Sequence, residues 1–258
     1  MIKSTLLFLT FFIHFSTHSQ VVNEPEKVDS INTIEVEPIY FVLGTLSDYM
    51  GHFYYVNKAT QVDRYYPGEK PLVDYLVSYI KKELGIEVNT IFEKSNHSKM
   101  FSDELSKILN SFYGEKYGLD KYDLLDSKFE TKKQIYSFLT GVYYRDGEKL
   151  DTSIYKIGLS NSPKHRNCYE MLKQIGCNKI FYKYVRSIPA SYTIYFEPTD
   201  ELKSYLEMIE PHRIILEESN FDEVVEMMKG QMTRKKLEGI YRKSRDEKLD
   251  RIKNAFEE

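Results

Sequence analysis

The order of hydrophobic periods along the chain restricts its fold more than any other feature. Between residues 69 and 147, apolar side chains recur at every third or fourth position, the spacing of one buried helix face. The periodic segments predict three helices, over 72–84, 105–112 and 131–143. Thr131 and Gln134 stand at the spacing of a capping box before the third. This part of the chain is therefore predicted to be largely helical.

The pattern changes after Gly147. A strand, a turn, a helix and two further strands are predicted in succession, over 153–159, 160–163, 164–175, 179–185 and 192–196. Strand, helix and strand in that order favour a parallel pair joined by a right-handed crossover. A helix from Thr199 to Ile209, a short strand over 214–216 and a C-terminal helical part with a break at Gly230 follow.

Together these elements predict an α+β fold. It has a helical N-terminal half packed with a small mixed sheet containing a β-α-β unit, and a long C-terminal helix. No Pro-, Gly- or Ser-rich linker separates the parts, so we expect a single α+β domain over 39–258. Its helical, mixed and C-terminal helical parts are 39–150, 151–218 and 219–258. With 22 Tyr and 15 Phe in 258 residues, its core should be rich in tyrosine.

The first nineteen residues have the pattern of a signal peptide. Lys3 precedes an apolar run from Leu6 to Phe15, which is half the ~20 residues that a membrane-spanning helix needs. Cleavage near Ser19 would give an exported protein, periplasmic or extracellular, with no transmembrane segment left. An uncleaved anchor or a buried N-terminal helix is the alternative. An exposed acidic spacer over 20–38 is predicted to follow.

Two cysteines, Cys168 and Cys177, allow one disulfide in an exported protein. If 163–175 is one helix, nine positions at ~1.5 Å each separate the Cα atoms by about 13 Å, whereas a disulfide needs less than about 7 Å. A disulfide is therefore disfavoured, and Cys168 is predicted to be a small buried side chain.

The best candidate site lies where the strand 153–159 leads into the next helix. Asn161 or Ser162 would cap that helix, and its free N–H groups would favour an anion. Lys164, His165 and Arg166 place cations at the same end, where the helix dipole disfavours them unless an anion compensates. The sequence thus predicts weak anion binding there. The alternative is solvated side chains, with Arg166 pairing with Glu170.

No pattern supports metal binding or catalysis. The histidines at 52, 97, 165 and 212 are far apart in sequence, and pairs at helical spacing, such as Asp48 with His52, supply too few ligands for a metal site. No nucleophile elbow is present, and Ser160, Ser162 and Cys168 have no assigned base. No catalytic residue, metal ligand or cofactor is therefore predicted, and enzyme status is left open with a preference for none.

Charge completes the functional prediction. The chain has a net charge of −3, although residues 229–258 carry ten basic and six acidic side chains. This balance argues against nucleic acid as a partner. We expect an exported, non-catalytic protein that binds a partner protein or a small anionic ligand. The alternatives are a hydrolase or transferase acting on an anionic substrate, and a protective partner of a secreted toxin.

Overall fold

The computed structural model describes residues 35–52, 59–93, 96–115 and 122–257. Seven helices lie in these ranges: α1 (Pro38–Thr45), α2 (Lys70–Leu84), α3 (Asp103–Asn110), α4 (Lys132–Asp146), α5 (His165–Gln174), α6 (Asp200–Met227) and α7 (Arg234–Glu257). The strands are β1 (Gln61–Tyr65), β2 (Asn89–Phe92), β3 (Ser98–Phe101), β4 (Tyr113–Glu115), β5 (Tyr122–Leu124), β6 (Gly147–Lys149), β7 (Tyr155–Ser160), β8 (Ile180–Val185) and β9 (Ser191–Phe196).

The predicted α+β class is confirmed. All described residues belong to one compact unit, while the division of the chain into domains stays a prediction. The signal peptide over 1–19 and most of the spacer over 20–38 lie outside the described residues. Within the described ranges, none of the helices combines the length and the hydropathy needed to cross a bilayer.

Two glycines bring α1 and α4 together at the centre of the molecule. A Cβ on Gly44 would lie 2.1 Å from the carbonyl oxygen of Phe138, and one on Gly141 would lie 2.0 Å from that of Phe41. Each glycine thus faces the carbonyl three residues before the other glycine, so the two contacts are equivalent. Any larger residue would push the helices apart, and the close crossing depends on glycine.

The four-stranded sheet has the order β6-β7-β9-β8 and is antiparallel throughout. The strand, helix and strand predicted after Gly147 are present as β7, α5 and β8. However, β9 lies between the two strands and pairs with both, so they form no parallel pair and the sheet is not mixed. A second sheet, β1-β3-β2, and the hairpin β4-β5 include segments that the sequence assigned to a helical region. Their strands are only three to five residues long, too short for a clear two-residue period.

The two faces of the four-stranded sheet differ. On one face, Tyr155, Ile157 and Leu159 of β7 join the main core, which also includes residues of α1, α4 and α5. On the other face, Ile252 of α7 packs in a smaller cluster that contains Tyr195. Strand β8 forms an edge of this sheet, and five of its six residues are exposed.

Helix α6 corrects one local prediction. The strand expected over 214–216 is part of this helix, which continues through Pro211. Only Leu216 of the apolar triplet is buried, whereas Ile214 and Ile215 are exposed. The apolar run therefore crosses a helix surface instead of forming a strand. Both cysteines are free and buried.

Candidate functional site

Lys164 is the predicted site residue whose position differs most from the expectation. Its side chain is buried, and its Nζ donates hydrogen bonds to the carbonyl oxygens of Gly44, at 2.9 Å, and Leu46. Asp146 Oδ2 lies 3.6 Å from the same nitrogen. The ammonium group is thus held at the C-terminal end of α1, where the helix dipole favours a cation. This contact accounts for its charge without a bound anion.

The other four residues of the predicted site separate into two groups. Asn161 has a left-handed backbone (φ 46°) and accepts a hydrogen bond from the Met50 amide, and Ser162 is buried. His165 and Arg166 begin α5, and they face the β8–β9 side of the helix with a buried imidazole and an exposed guanidinium. Anion binding by these residues stays a prediction. Only Arg166 offers an accessible cation for it.

His165 belongs to a stack of three aromatic rings. Its imidazole lies on the ring of Tyr192, with centroids 3.7 Å apart and planes at 13°. The ring of Tyr184 also stacks with that of Tyr192, with centroids 5.2 Å apart and planes at 21°. Tyr184 and Tyr192 are paired in register between β8 and β9, which places their side chains on the same face. We call His165, Tyr192 and Tyr184 the aromatic stack.

The aromatic stack ends in solvent. Tyr184 is 52% exposed, and Tyr182 on the same face of β8 is exposed as well, while Phe181 and Val185 are exposed on the opposite face. Exposed aromatic and apolar side chains on both faces of an edge strand are typical of a site of interaction. The stack therefore presents an open aromatic ring to a ligand.

The imidazole of the stack is uncharged at neutral pH. Burial, assisted by the charge of Arg166, lowers the pKa of His165 to about 4. Burial also raises the pKa of Tyr182, and its hydroxyl oxygen lies 2.9 Å from His165 Nδ1, within hydrogen-bond distance. A neutral ring in fixed orientation makes a stable base for the two tyrosines.

Exposed cations lie along the edge β8–β9 and beside it. Lys183, Arg186 and Arg166 are exposed, and none of them forms an ion pair with a described residue. Glu170, the expected partner of Arg166, is paired with Lys173 at 3.3 Å instead. The edge β8–β9, with Arg166 beside it, is therefore a locally basic surface on a chain of net negative charge.

A second group of charged residues lies buried near the ends of α1 and α4. Arg145 donates to Glu69 at 2.7 and 2.9 Å, to the carbonyls of Thr45 and Arg64 at 2.8 and 3.0 Å, and to Asp63. All five of its N–H groups are satisfied. Burial alone would lower the pKa of Arg145, but the charges of Glu69 and Asp63 raise it well above its ordinary value. We call Arg145, Asp63 and Glu69 the charge cluster.

Beside the charge cluster, Asp48 and His52 form a buried pair. Asp48 Oδ1 lies 3.5 Å from His52 Nδ1, and Tyr113 donates a hydrogen bond of 2.6 Å to Asp48 Oδ2. Burial lowers the pKa of His52, but the hydrogen bond and charge of Asp48, with Asn110 and Asp63, outweigh it and raise the pKa. Across the described ranges, no group of three or more His, Cys, Asp or Glu side chains is arranged to hold a metal ion. The charged groups here are largely neutralised by one another, which favours a structural role.

The sequence contained a signal for the basic aromatic surface that our prediction missed. Residues 171–196 include no Asp or Glu, but they contain Lys173, Lys179, Lys183 and Arg186 together with alternating aromatic residues. Averaging charge over the whole chain concealed this segment. The stack itself needed the register of β8 on β9 and could not be read from spacing.

Comparisons with known proteins give only distant structural matches. No protein-family model and no curated protein matches the sequence. A mesophilic variant of the homing endonuclease I-DmoI matches with 13% identity and a TM-score of 0.43, over 67% of this chain and 94% of that one. I-DmoI in complex with DNA and Ca matches with 14% identity and a TM-score of 0.40, over 64% and 85%. The N-terminal LAGLIDADG domain of DUF199/WhiA matches with 16% identity and a TM-score of 0.41, over 67% and 80%.

These matches contradict the expected function and location. The matched proteins are homing endonucleases and WhiA, so the expected exported, non-catalytic binding protein is wrong. The two alternatives, a hydrolase or transferase acting on an anionic substrate and a protective partner of a toxin, stay predictions. The predicted secretion to the periplasm or the cell exterior is wrong for the same reason. A ten-residue apolar run is short, and it does not by itself distinguish a signal peptide from other hydrophobic segments.

The exclusion of nucleic acid is also wrong. Several of the matched structures are complexes with target DNA. Our exclusion relied on the net charge of the whole chain, which does not describe the charge of one surface. The acid-free segment 171–196 is the part of the sequence to which that argument did not apply.

Proposed function

We propose that the protein binds nucleic acid through the edge β8–β9. In this proposal an unpaired base stacks on the exposed ring of Tyr184, and phosphates contact Lys183 and Arg186. The observation that carries the proposal is the aromatic stack: three nearly parallel rings, of which the last is 52% exposed. Support comes from the geometry and charge of this surface.

Stacking on an ordered ring is an effective way to hold a base. Each base has a π-face, and an aromatic partner contributes ~1–3 kcal/mol per base in proteins that bind single strands. Tyr184 is held by Tyr192, which is held in turn by the buried His165, so little side-chain entropy remains to be lost on binding. A base within a duplex already has its faces covered, so the ring favours single-stranded or unpaired nucleotides.

The cations complete the surface. Lys183 precedes Tyr184 on β8 and has its side chain on the opposite face of the strand, and Arg186 lies in the loop that follows. Since no described carboxylate pairs with them, their charges are available to phosphate groups. A nucleic-acid strand that crosses the open edge at β8 would therefore meet Tyr184 on one face and Lys183 on the other, with Arg186 in the loop after β8.

The first experiment measures binding of a fluorescent 12-nucleotide single strand of mixed sequence by anisotropy. We expect Tyr184→Ala to weaken binding about tenfold, since ~1–3 kcal/mol of stacking is removed. Tyr241→Ala is the matched control, because Tyr241 is also 52% exposed but lies on α7. Equal affinity of the parent protein and Tyr184→Ala, or an equal loss in both variants, would refute the proposal.

The second experiment tests the cations. The double variant Lys183→Gln with Arg186→Gln removes two charges, and the slope of log affinity against log salt concentration should become shallower by about 1.4, or ~0.7 per phosphate contact. The control double variant Lys107→Gln with Lys132→Gln makes the same change in net charge at two other exposed, unpaired lysines of the described part. An unchanged slope in the first pair would contradict a phosphate contact at β8–β9.

A further inference from the structure

A cavity lies next to the aromatic stack, on the α5 side of the sheet. Its volume is about 500 Å³, within the ~300–1,000 Å³ typical of small-ligand sites. Three of its walls are aromatic rings, those of His165, Tyr169 and Tyr182. Tyr169 meets Tyr182 edge to face at 5.7 Å, and His165 meets it at 5.8 Å. The cavity is therefore large enough for a planar ring and is lined by aromatic side chains.

The polar groups of the cavity are few and of defined kind. Asp126 and Glu170 supply carboxylates, and Arg166 supplies a guanidinium. The buried amide of Asn167 donates to Asp126 Oδ1 at 2.6 Å and to the Leu124 carbonyl at 3.2 Å. That contact fixes the orientation of the Asp126 carboxylate, and among the described residues nothing donates to its second oxygen, Oδ2. The cavity thus offers an oriented acceptor and a flexible donor.

Among the four bases, guanine matches these groups best. Its Watson–Crick edge carries two adjacent donor groups, the ring N1–H and the exocyclic N2 amine, beside the O6 acceptor. Adenine and cytosine each have one exocyclic amine next to an acceptor, and thymine has one N–H between two carbonyls. Carboxylates accept from the paired donors, and an arginine donates to O6 or N7, the commonest specific contact to this base.

We infer that this cavity binds an unpaired guanine, with Asp126 accepting from its N1–H and N2 amine and Arg166 donating to its O6 or N7. The inference deepens the proposed function and rests on it, since the base enters from a strand held at β8–β9. His165 connects the two sites: one face of its ring supports Tyr192, and the ring also forms a wall of the cavity. A strand bound at the stack would therefore place a neighbouring base at the cavity entrance.

The test compares oligonucleotides that differ at one base. Binding of a twelve-nucleotide poly(dT) strand with a single central dG is measured against the same strand with dA, dC or inosine at that position. We expect dG to bind about tenfold tighter than dA or dC, because a good paired contact contributes ~1–3 kcal/mol of discrimination. Inosine lacks only the N2 amine, so it should lose most of that preference.

Two variants locate the preference. Asp126→Asn keeps the shape of the side chain but replaces one acceptor oxygen with a donor, so the dG strand should lose its advantage while the dA strand keeps its affinity. Asp250→Asn is the matched control, at an exposed aspartate on α7. Equal affinities for all four strands in the parent protein, or a dG preference that survives Asp126→Asn, would overturn the inference. If those strands bind equally but lose affinity together in Tyr184→Ala, the pocket is refuted and the proposed function stands. If none binds, both fail.

Discussion

The charge cluster and the β8–β9 edge contain the same kinds of side chain, but these side chains are buried and paired in the cluster and exposed at the edge. In the cluster, Arg145 makes five hydrogen bonds and has almost no access to solvent. At the edge, Arg186 is exposed and forms no ion pair with any described residue. The contrast shows that residue type alone does not determine whether an arginine has a structural role or is available to a ligand. The presence of buried partners converts one arginine into a structural connection, and their absence leaves the other available to a ligand.

The histidines repeat the comparison. His52, beside the charge cluster, faces the carboxylate of Asp48, and its pKa is raised. His165, in the aromatic stack, faces rings and a neighbouring arginine, and its pKa falls to about 4. One imidazole therefore favours its charged form and the other its neutral form. Four predictions, in order of decreasing effect on the free energy of unfolding, test how different the two regions are.

The largest effect is expected at the helix crossing that supports the charge cluster. Gly141→Ala places a Cβ about 2.0 Å from the carbonyl oxygen of Phe41, and the three nearest atoms are all backbone atoms of α1, so no flexible side chain can yield. We expect a loss of about 4 kcal/mol or more in the free energy of unfolding, or no cooperative fold, by urea denaturation. In contrast, Gly239→Ala on α7 has open space and should stabilise by about 0.5–1 kcal/mol. A mild effect at Gly141 would show that the two helices do not cross this closely.

The charge cluster itself is the next in size. Arg145→Leu leaves Asp63 and Glu69 buried without their cation, and we expect it to cost about 3–5 kcal/mol in the free energy of unfolding. Arg186→Leu at the edge should change stability by less than about 0.5 kcal/mol. The two variants are compared by denaturation in the same buffer. If the two variants lose similar amounts of free energy of unfolding, Arg145 is not structural and Arg186 is not available in the sense described above.

The sequence predicts a contact well only when the two contacting residues are close together along the chain. Helix α4 was predicted with its capping box, which the structure contains between Thr131 and Gln134, because those contacts are local. The strand predicted over 192–196 is present within β9. By contrast, Arg145 meets Glu69 across 76 positions, and Lys164 reaches Gly44 across 120. Such pairs depend on how the elements pack, and no spacing rule describes them.

The candidate site was partly accessible from the sequence. The segment 160–166 was selected for its cations, and His165 and Arg166 do lie at the proposed surface. The reason was different from the one expected, since Lys164 is turned inward to α1. The tyrosines that complete the aromatic stack come from two strands, and their meeting depends on the pairing of Tyr184 with Tyr192. A single strand read alone gives no sign of that contact.

Opposite pH dependences are expected from the two histidines. The pKa of His165 is lower in the folded protein than its unfolded value of 6.5. Its contribution to the free energy of unfolding is therefore complete above pH 6.5 and is lost as pH falls towards 4. His52 has a raised pKa, so its contribution is complete below pH 6.5 and is lost as pH rises through the folded value. Between pH 7 and 5 we expect His165 to account for a loss of about 1 kcal/mol in the free energy of unfolding, a value reduced because the ring borders an open cavity and its charge is partly screened.

Urea denaturation at pH 5, 6, 7 and 8 measures both effects. In the parent protein the free energy of unfolding should fall at both acidic and alkaline pH. His165→Phe should make the fall on the acidic side shallower, and His52→Gln should make the fall on the alkaline side shallower. Each variant is the control for the other, since each should leave the opposite limb unchanged. If both variants keep the slopes of the parent, neither imidazole titrates as its surroundings imply.

The smallest effect is expected where the ligand is proposed to bind. Tyr184→Ala removes a ring that is half exposed and has one stacked neighbour, so it should cost about 0.5 kcal/mol in the free energy of unfolding. Tyr65→Ala, at a buried ring beneath Arg145, should cost about 3–5 kcal/mol by comparison. Denaturation is measured at the protein concentration used for binding. A large loss of stability in Tyr184→Ala would mean that the exposed ring holds the edge together, and a loss of binding in that variant would then report unfolding instead of a missing contact.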